Sequence, residues 1–198
     1  RSGVYSEPVM LDKAAFEFAE TPQMIDIVES LYGPYVWDRY DVLVMPPSFP
    51  FGGMEHARLS FLSPTVITGK RDLISLTAHE LSHSWSGNLV TNRYWSDLWL
   101  NEGFTTYVEK RIVEALYGTD RADLERASQY QSLQADLAEL SPPEQVLAID
   151  LRGQHPDNVF TDIPYNKGSL FLTTLEKAYG REVFDGFVKQ YFADFAWQ

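Results

Sequence analysis

The 198-residue sequence predicts an α+β fold, a small mixed β region followed by a mainly helical lobe. Three observations carry that expectation. Strand-like patterns are confined to the first 70 residues, helical periodicity takes over from Asp72, and glycine or proline separates the runs. A chain of this length holds one well-packed core, so residues 1–70 and 71–198 read as an α/β portion and a helical portion of a single domain.

The elements follow in order. Thr21 followed by Pro22 reads as an N-cap and a first-turn proline. Met24, Ile25, Val28, Leu31 and Tyr32 recur at helical spacing until Gly33-Pro34 stops the run. Asp41–Met45 is a short buried-strand pattern closed by Pro46-Pro47, and a loop rich in proline and glycine leads to Gly53. Arg58–Leu62 alternates polar and apolar, as a half-buried strand does. Helices are then expected over 72–87, 97–117, 120–139, 166–179 and 181–193, with Gly118 and Gly180 at helix-ending positions. Ser141–Pro143 and residues 153–164 read as loops.

Composition narrows the function classes. Apolar residues make up 44% and aromatics 14%, values of a folding globular chain. No apolar run approaches the ~18 residues that cross a bilayer, so no membrane partner is expected. Net charge is −12 and the basic residues are scattered, which disfavours nucleic acid. The absence of cysteine excludes disulfides and thiolate metal sites and fits a cytoplasmic setting. The chain starts at Arg1 and stops just past an apparent helix, so it reads as a piece of a larger multidomain protein.

His79-Glu80-Leu81-Ser82-His83 falls inside a helical pattern. Ile74, Ala78, Leu81 and Trp85 form one apolar stripe, and the two histidines share a different face, one turn apart. Two imidazoles at that spacing can bind one Zn²⁺, and Glu80 between them is placed as a general base. Catalytic zinc keeps a third protein ligand and an open position. Glu102, eighteen residues beyond His83 on the next helical pattern and flanked by Trp99, Leu100 and Phe104, supplies it. Glu109, seven residues further on the same face, reads either as the acceptor for a liganding histidine's second N–H or as a surface charge among Lys110, Arg111 and Glu114.

Together these residues resemble the gluzincin aminopeptidases of peptidase family M1. The paired histidines, the eighteen-residue gap and Asn101-Glu102-Gly103 resemble that family's zinc signature, and Gly52-Gly53-Met54-Glu55-His56 resembles its exopeptidase motif. Pro47–Glu55 and Ile163–Gly168 are most similar to the subgroup of leukotriene-epoxide hydrolase and aminopeptidase B. The resemblance implies a thermolysin-like catalytic domain with one Zn²⁺ per chain, acting on peptides with a free N-terminus. It implies further that Glu55 grips the substrate α-ammonium while Gly52, Gly53 and Met54 border it. Tyr165 matches the catalytic tyrosine, Asp157 an acidic pocket position favouring basic side chains, and Phe160 a pocket aromatic. Two positions depart from the family pattern: His56 replaces an asparagine and Asn166 a glutamate. The family surrounds this core with an N-terminal β-rich and a C-terminal helical domain, neither of which fits in 198 residues. Besides aminopeptidase action, a thermolysin-like endopeptidase, a bifunctional aminopeptidase and epoxide hydrolase, and a weakly active peptide-binding core lacking its flanking domains are the other readings.

Overall fold

A computed structural model describes residues 1–198, apart from the side chains of Asn158 and Val159. Strand β1 (Ser2–Tyr5) leads through helices α1 (Leu11–Glu17) and α2 (Thr21–Tyr32) to strand β2 (Tyr40–Val44). β1 pairs in parallel with β2, and the intervening helices make the crossover that a parallel pair needs. β2, buried over its first three residues, also pairs in parallel with β4 (Leu59–Leu62). The two-residue β3 (Gly53–Met54) runs antiparallel to β4 and forms the sheet edge, Gly53 opposite Leu62 and Met54 opposite Phe61.

The helical lobe consists of α3 (Ile74–Ser82), α4 (Leu98–Tyr117), α5 (Thr119–Glu139), α6 (Ile163–Tyr179) and α7 (Arg181–Asp194). Ile74, Ala78, Leu81 and Trp85 are all buried, so the apolar stripe seats α3 in the core. Truncating such a buried residue, as in Leu81→Ala, removes about 2–5 kcal/mol of stability. The loop ahead of α3 is pinned by Glu17. This buried carboxylate accepts the Gly69 and Arg71 backbone N–H groups, each at 2.8 Å, and the Thr68 hydroxyl at 3.2 Å. At the crossing of α4 and α6, Gly103 faces Gly168. A Cβ on Gly168 would lie 2.9 Å from the Gly103 Cα, so the two backbones touch with no side chain between them. That crossing brings the first turn of α6 over the Glu102 turn of α4.

The α+β architecture is the expected one, with local departures. The helix expected over 72–87 is shorter. After Ser82 the bonds tighten, Ser84 N–H donating to the Leu81 carbonyl at 2.9 Å and Trp85 N–H to that of Ser82 at 3.0 Å. α6 starts three residues before the expected 166, because Pro164 fits a first turn, where no intrahelical donor is required. Thr21 is not an N-cap: it is the first residue of α2, and its hydroxyl donates back to the Phe18 carbonyl at 2.8 Å. β1 and α1 were not anticipated. The loops around Ser141 and 153–164 contain short 3₁₀ turns, Pro142–Gln145 and Pro156–Val159. Among the described residues no helix is long and apolar enough to cross a membrane.

Candidate active site

α3 carries His79 and Glu80, and His83 caps its C-terminus with helical dihedrals, which keeps the imidazoles one turn apart. Their Nε2 atoms are 3.2 Å apart. Glu102, from α4, places Oε2 3.2 Å from the His79 Nε2 and 3.4 Å from the His83 Nε2. One ligand atom from each of the three lies within 4.8 Å of the others, a convergence able to hold a metal ion. Two imidazole nitrogens and one carboxylate oxygen, without thiolate, are a donor set suited to zinc.

The outer ring nitrogens are also engaged. His79 Nδ1 is 3.1 Å from Glu109 Oε2, and His83 Nδ1 is 3.0 Å from the Ser86 carbonyl and 3.1 Å from the Thr105 hydroxyl. A ring nitrogen facing acceptors carries the proton, which leaves the Nε2 lone pairs directed at the cluster. Glu109 in turn accepts from Lys110 Nζ at 2.5 Å, and Lys110 also donates to Glu125 at 3.0 Å. Burial opposes ionisation of Glu109, but Lys110 and His79 hold its carboxyl below the usual range. Burial likewise opposes ionisation of Glu102, and His83, His79 and the Tyr165 hydroxyl outweigh it.

Glu80 is the exception. Its carboxylate is buried, and Oε2 has no hydrogen-bond partner. Burial pushes its carboxyl up to about 7, against the pull of both imidazoles and with a further push from Glu55 and Glu102. Against its other side lies the edge strand: a Cβ on Gly53 would collide with the Glu80 side chain, so any larger residue there would force that carboxylate to shift. Gly52 packs on Leu76, with 3.3 Å from a built Cβ to Leu76 Cδ2. Glu55 extends from this edge, Oε1 4.0 Å from the His83 Nδ1, and Glu55, Glu80 and His83 form a second convergent group.

Tyr165, in the first turn of α6, stacks on His79 at 5.9 Å between ring centroids, with the Glu102 carboxylate near enough to act on its hydroxyl. Burial, then the Glu102 carboxylate, raises its pKa, so the hydroxyl stays a donor. Phe160 meets the Tyr165 ring edge-on at 6.0 Å. His79, Glu80, His83, Glu102, Glu55, Phe160 and Tyr165 border one cleft of about 1140 Å³, which the apolar Val146, Leu147, Ile149 and Leu151 also line. Met54 also lines it, and Asp157 stands at its rim with its side chain 88% exposed, 3.6 Å from His155. His56 packs against Phe61 with the rings tilted, centroids 4.2 Å apart, and belongs to neither metal-competent group among the described residues.

The structure thus brings His79, His83, Glu102, Glu80, Glu109, Glu55 and Tyr165 together, with Asp157 and Phe160 further out. Sequence reasoning missed Thr105 and the Ser86 carbonyl, which orient His83, and Lys110, which anchors Glu109. Thr105 was findable, three residues past Glu102 on the same helix face. The Ser86 carbonyl was not, because its placement depends on the tight turn that ends α3.

Comparison with known proteins identifies the family. The profile of the Peptidase family M1 domain matches residues 16–198. Leucine aminopeptidase 2 of Yarrowia lipolytica is 45% identical over the whole chain, which covers 32% of that protein. Leukotriene A-4 hydrolase of Xenopus laevis is 43% identical, again over the whole chain and 33% of the relative. The native leukotriene A4 hydrolase structure from Saccharomyces cerevisiae superposes with a TM-score of 0.94 at 40% identity, over 99% of this chain and 32% of that one. An M1 zinc metallopeptidase from Deinococcus radiodurans superposes at 0.70 with 28% identity, over 89% and 37%. The chain therefore spans about a third of the length of these relatives, and with its family profile, its identities and its fold in agreement it belongs to peptidase family M1.

Proposed function

We propose that residues 1–198 form the catalytic core of a zinc aminopeptidase that removes the N-terminal residue from peptides. One observation carries this reading: three metal-competent ligand atoms within 4.8 Å of one another adjoin a buried carboxylate, Glu80, that has a free oxygen. His79, His83 and Glu102 would hold one Zn²⁺, and the Nδ1 partners of the two imidazoles suit them to it. When bound, zinc lowers the pKa of a coordinated water toward about 7 and polarises a carbonyl.

The chain's own residues do the rest. Glu80 Oε2 takes the proton of the attacking water and returns it to the leaving amine, so hydroxyl is added to the carbonyl carbon and hydrogen to nitrogen. Tyr165 donates to the oxygen that gains negative charge, a role worth about 3–4 kcal/mol. Glu55, in the second convergent group with Glu80 and His83, pairs with the substrate ammonium and fixes the cut one residue in. Gly52, Gly53 and Met54 border that residue, Phe160 flanks it, and Asp157 at the rim favours basic side chains. Glu109 fixes the orientation of His79. The remaining length of the relatives is read as flanking N- and C-terminal domains that complete the grip on the substrate.

N-acetylation of a peptide substrate tests the reading, since it removes the charge that Glu55 recognises. Cleavage should fall at least a hundredfold in kcat/KM; equal cleavage of capped and free peptides would point to an endopeptidase. A second activity, epoxide hydrolysis, is favoured by the apolar wall of Val146, Leu147, Ile149 and Leu151 and by the 43% identity to a leukotriene A-4 hydrolase. Incubation with a fatty-acid epoxide, followed by chromatography for the diol, decides it.

A further inference from the structure

Gly103 and Gly168 are the single glycines of α4 and α6, and they face each other. Glycine inside a helix costs about 1 kcal/mol relative to alanine, so helix propensity alone argues against both. The crossing explains them. A Cβ on Gly168 would stand 2.9 Å from the Gly103 Cα, and a Cβ on Gly103 would stand 3.0 Å from the Gly168 Cα and 3.2 Å from the Pro164 carbonyl oxygen. All of these obstacles are backbone, which cannot swing away as a side-chain tip can. Ordinary contacts of this kind are 3.4–4 Å, so one methyl would part the helices by roughly half an ångström or more.

The neighbours of this contact are the residues at stake. Glu102 precedes Gly103 on α4, and Tyr165 lies one turn before Gly168 on the same face of α6. We propose that the Gly103–Gly168 contact is a positioning device that sets the Tyr165 hydroxyl against the reacting oxygen, with the two glycines acting as positioning residues. The inference rests on the aminopeptidase reading. A hydrogen bond of about 3 Å that is stretched by half an ångström or more loses most of its strength, and here the loss falls on a bond made in the transition state.

The test uses the full-length, zinc-loaded protein with Gly168→Ala, Tyr165→Phe and the double variant. Gly168→Ala should lower kcat about tenfold, with KM within about twofold and one zinc per chain by elemental analysis. Tyr165→Phe should lower kcat by about a hundredfold or more. In the Tyr165→Phe background, Gly168→Ala should cost less than about twofold, because there is no hydroxyl left to misplace. Gly103→Ala, which enters the same contact from the other helix, serves as the second variant should Gly168→Ala fail to fold. Equal losses in both backgrounds, an unchanged kcat in Gly168→Ala, or failure of both alanine variants to fold would each overturn the proposal. A Tyr165→Phe protein with normal kcat would instead overturn the assignment of Tyr165, an outcome distinct from failure of the glycine contact.

Discussion

One helix, α4, serves two regions with opposite electrostatic habits. On one face Glu102, Thr105 and Glu109 look toward α3 and the cleft; about half a turn around, Tyr107, Arg111 and Glu114 look toward α2, α6 and α7. On the second face every acid meets a base. Arg111 binds Asp185 through two nitrogens and also donates to the hydroxyls of Tyr32 and Tyr107 at 3.0 Å. Tyr107 donates to Glu176, which Arg181 pairs at 2.5 Å, and Glu114 is held by Arg181 and by Arg126 at 2.8 Å. On the cleft face Glu55, Glu80, Glu102 and Glu109 gather around two imidazoles with Lys110 as the only direct cation among the described residues, and Glu80 keeps an unpartnered oxygen. The same residue types saturate one another's valences on one face of the helix and leave them open on the other.

Substitutions sharpen that contrast. Glu80→Gln should lower kcat by about 10²–10⁴-fold while zinc content is retained and the melting temperature holds or rises, since a buried carboxylate without a partner gives way to a neutral amide. A protein that lost stability instead would erase the distinction between the faces. Arg111→Met should do the reverse. It strands Asp185 beside the buried Tyr32 and Tyr107 hydroxyls and should cost about 3–5 kcal/mol by denaturant unfolding, with kcat per folded molecule unchanged. Glu109→Gln occupies the border: competition with a chelator should reveal zinc affinity lowered by about 10–100-fold with little change in stability.

The smallest effect is a pH slope. Arg181, with Arg126, holds the Glu114 carboxyl down to about 2 against an ordinary value of 4.5. Its folded pKa is depressed, so its contribution is complete above about 4.5 and is lost as pH falls toward about 2. Unfolding midpoints followed through that window should decline less steeply in Glu114→Gln than in the parent chain.

The cleft face was far more legible in sequence than the ionic one. His79, Glu80 and His83 fall within five residues and Glu102 within the next helix, so short-range spacing places them. α4 was anticipated to within a residue because Gly118 stops it. Arg111 and Asp185 are 74 residues apart, and Arg111 and Tyr32 are 79 apart, and nothing in helical periodicity links them. β1 escaped for the same reason: four residues that become a strand only by pairing with Tyr40–Leu43 carry no period of their own. The end of α3 escaped because the turn after Ser82 answers to His83, whose ring requires the Ser86 carbonyl, and not to any local breaker.

Gly53 gives the strand edge a mechanical meaning. Because a side chain added there would enter the space of the Glu80 carboxylate, the sheet acts as an end-stop for that carboxylate, with clearance smaller than a methyl group. Any rigid-body slip between strands and helices would be registered first as misaim of that carboxylate. On the proposed aminopeptidase reading, turnover would therefore gauge how tightly the two portions of the molecule are seated.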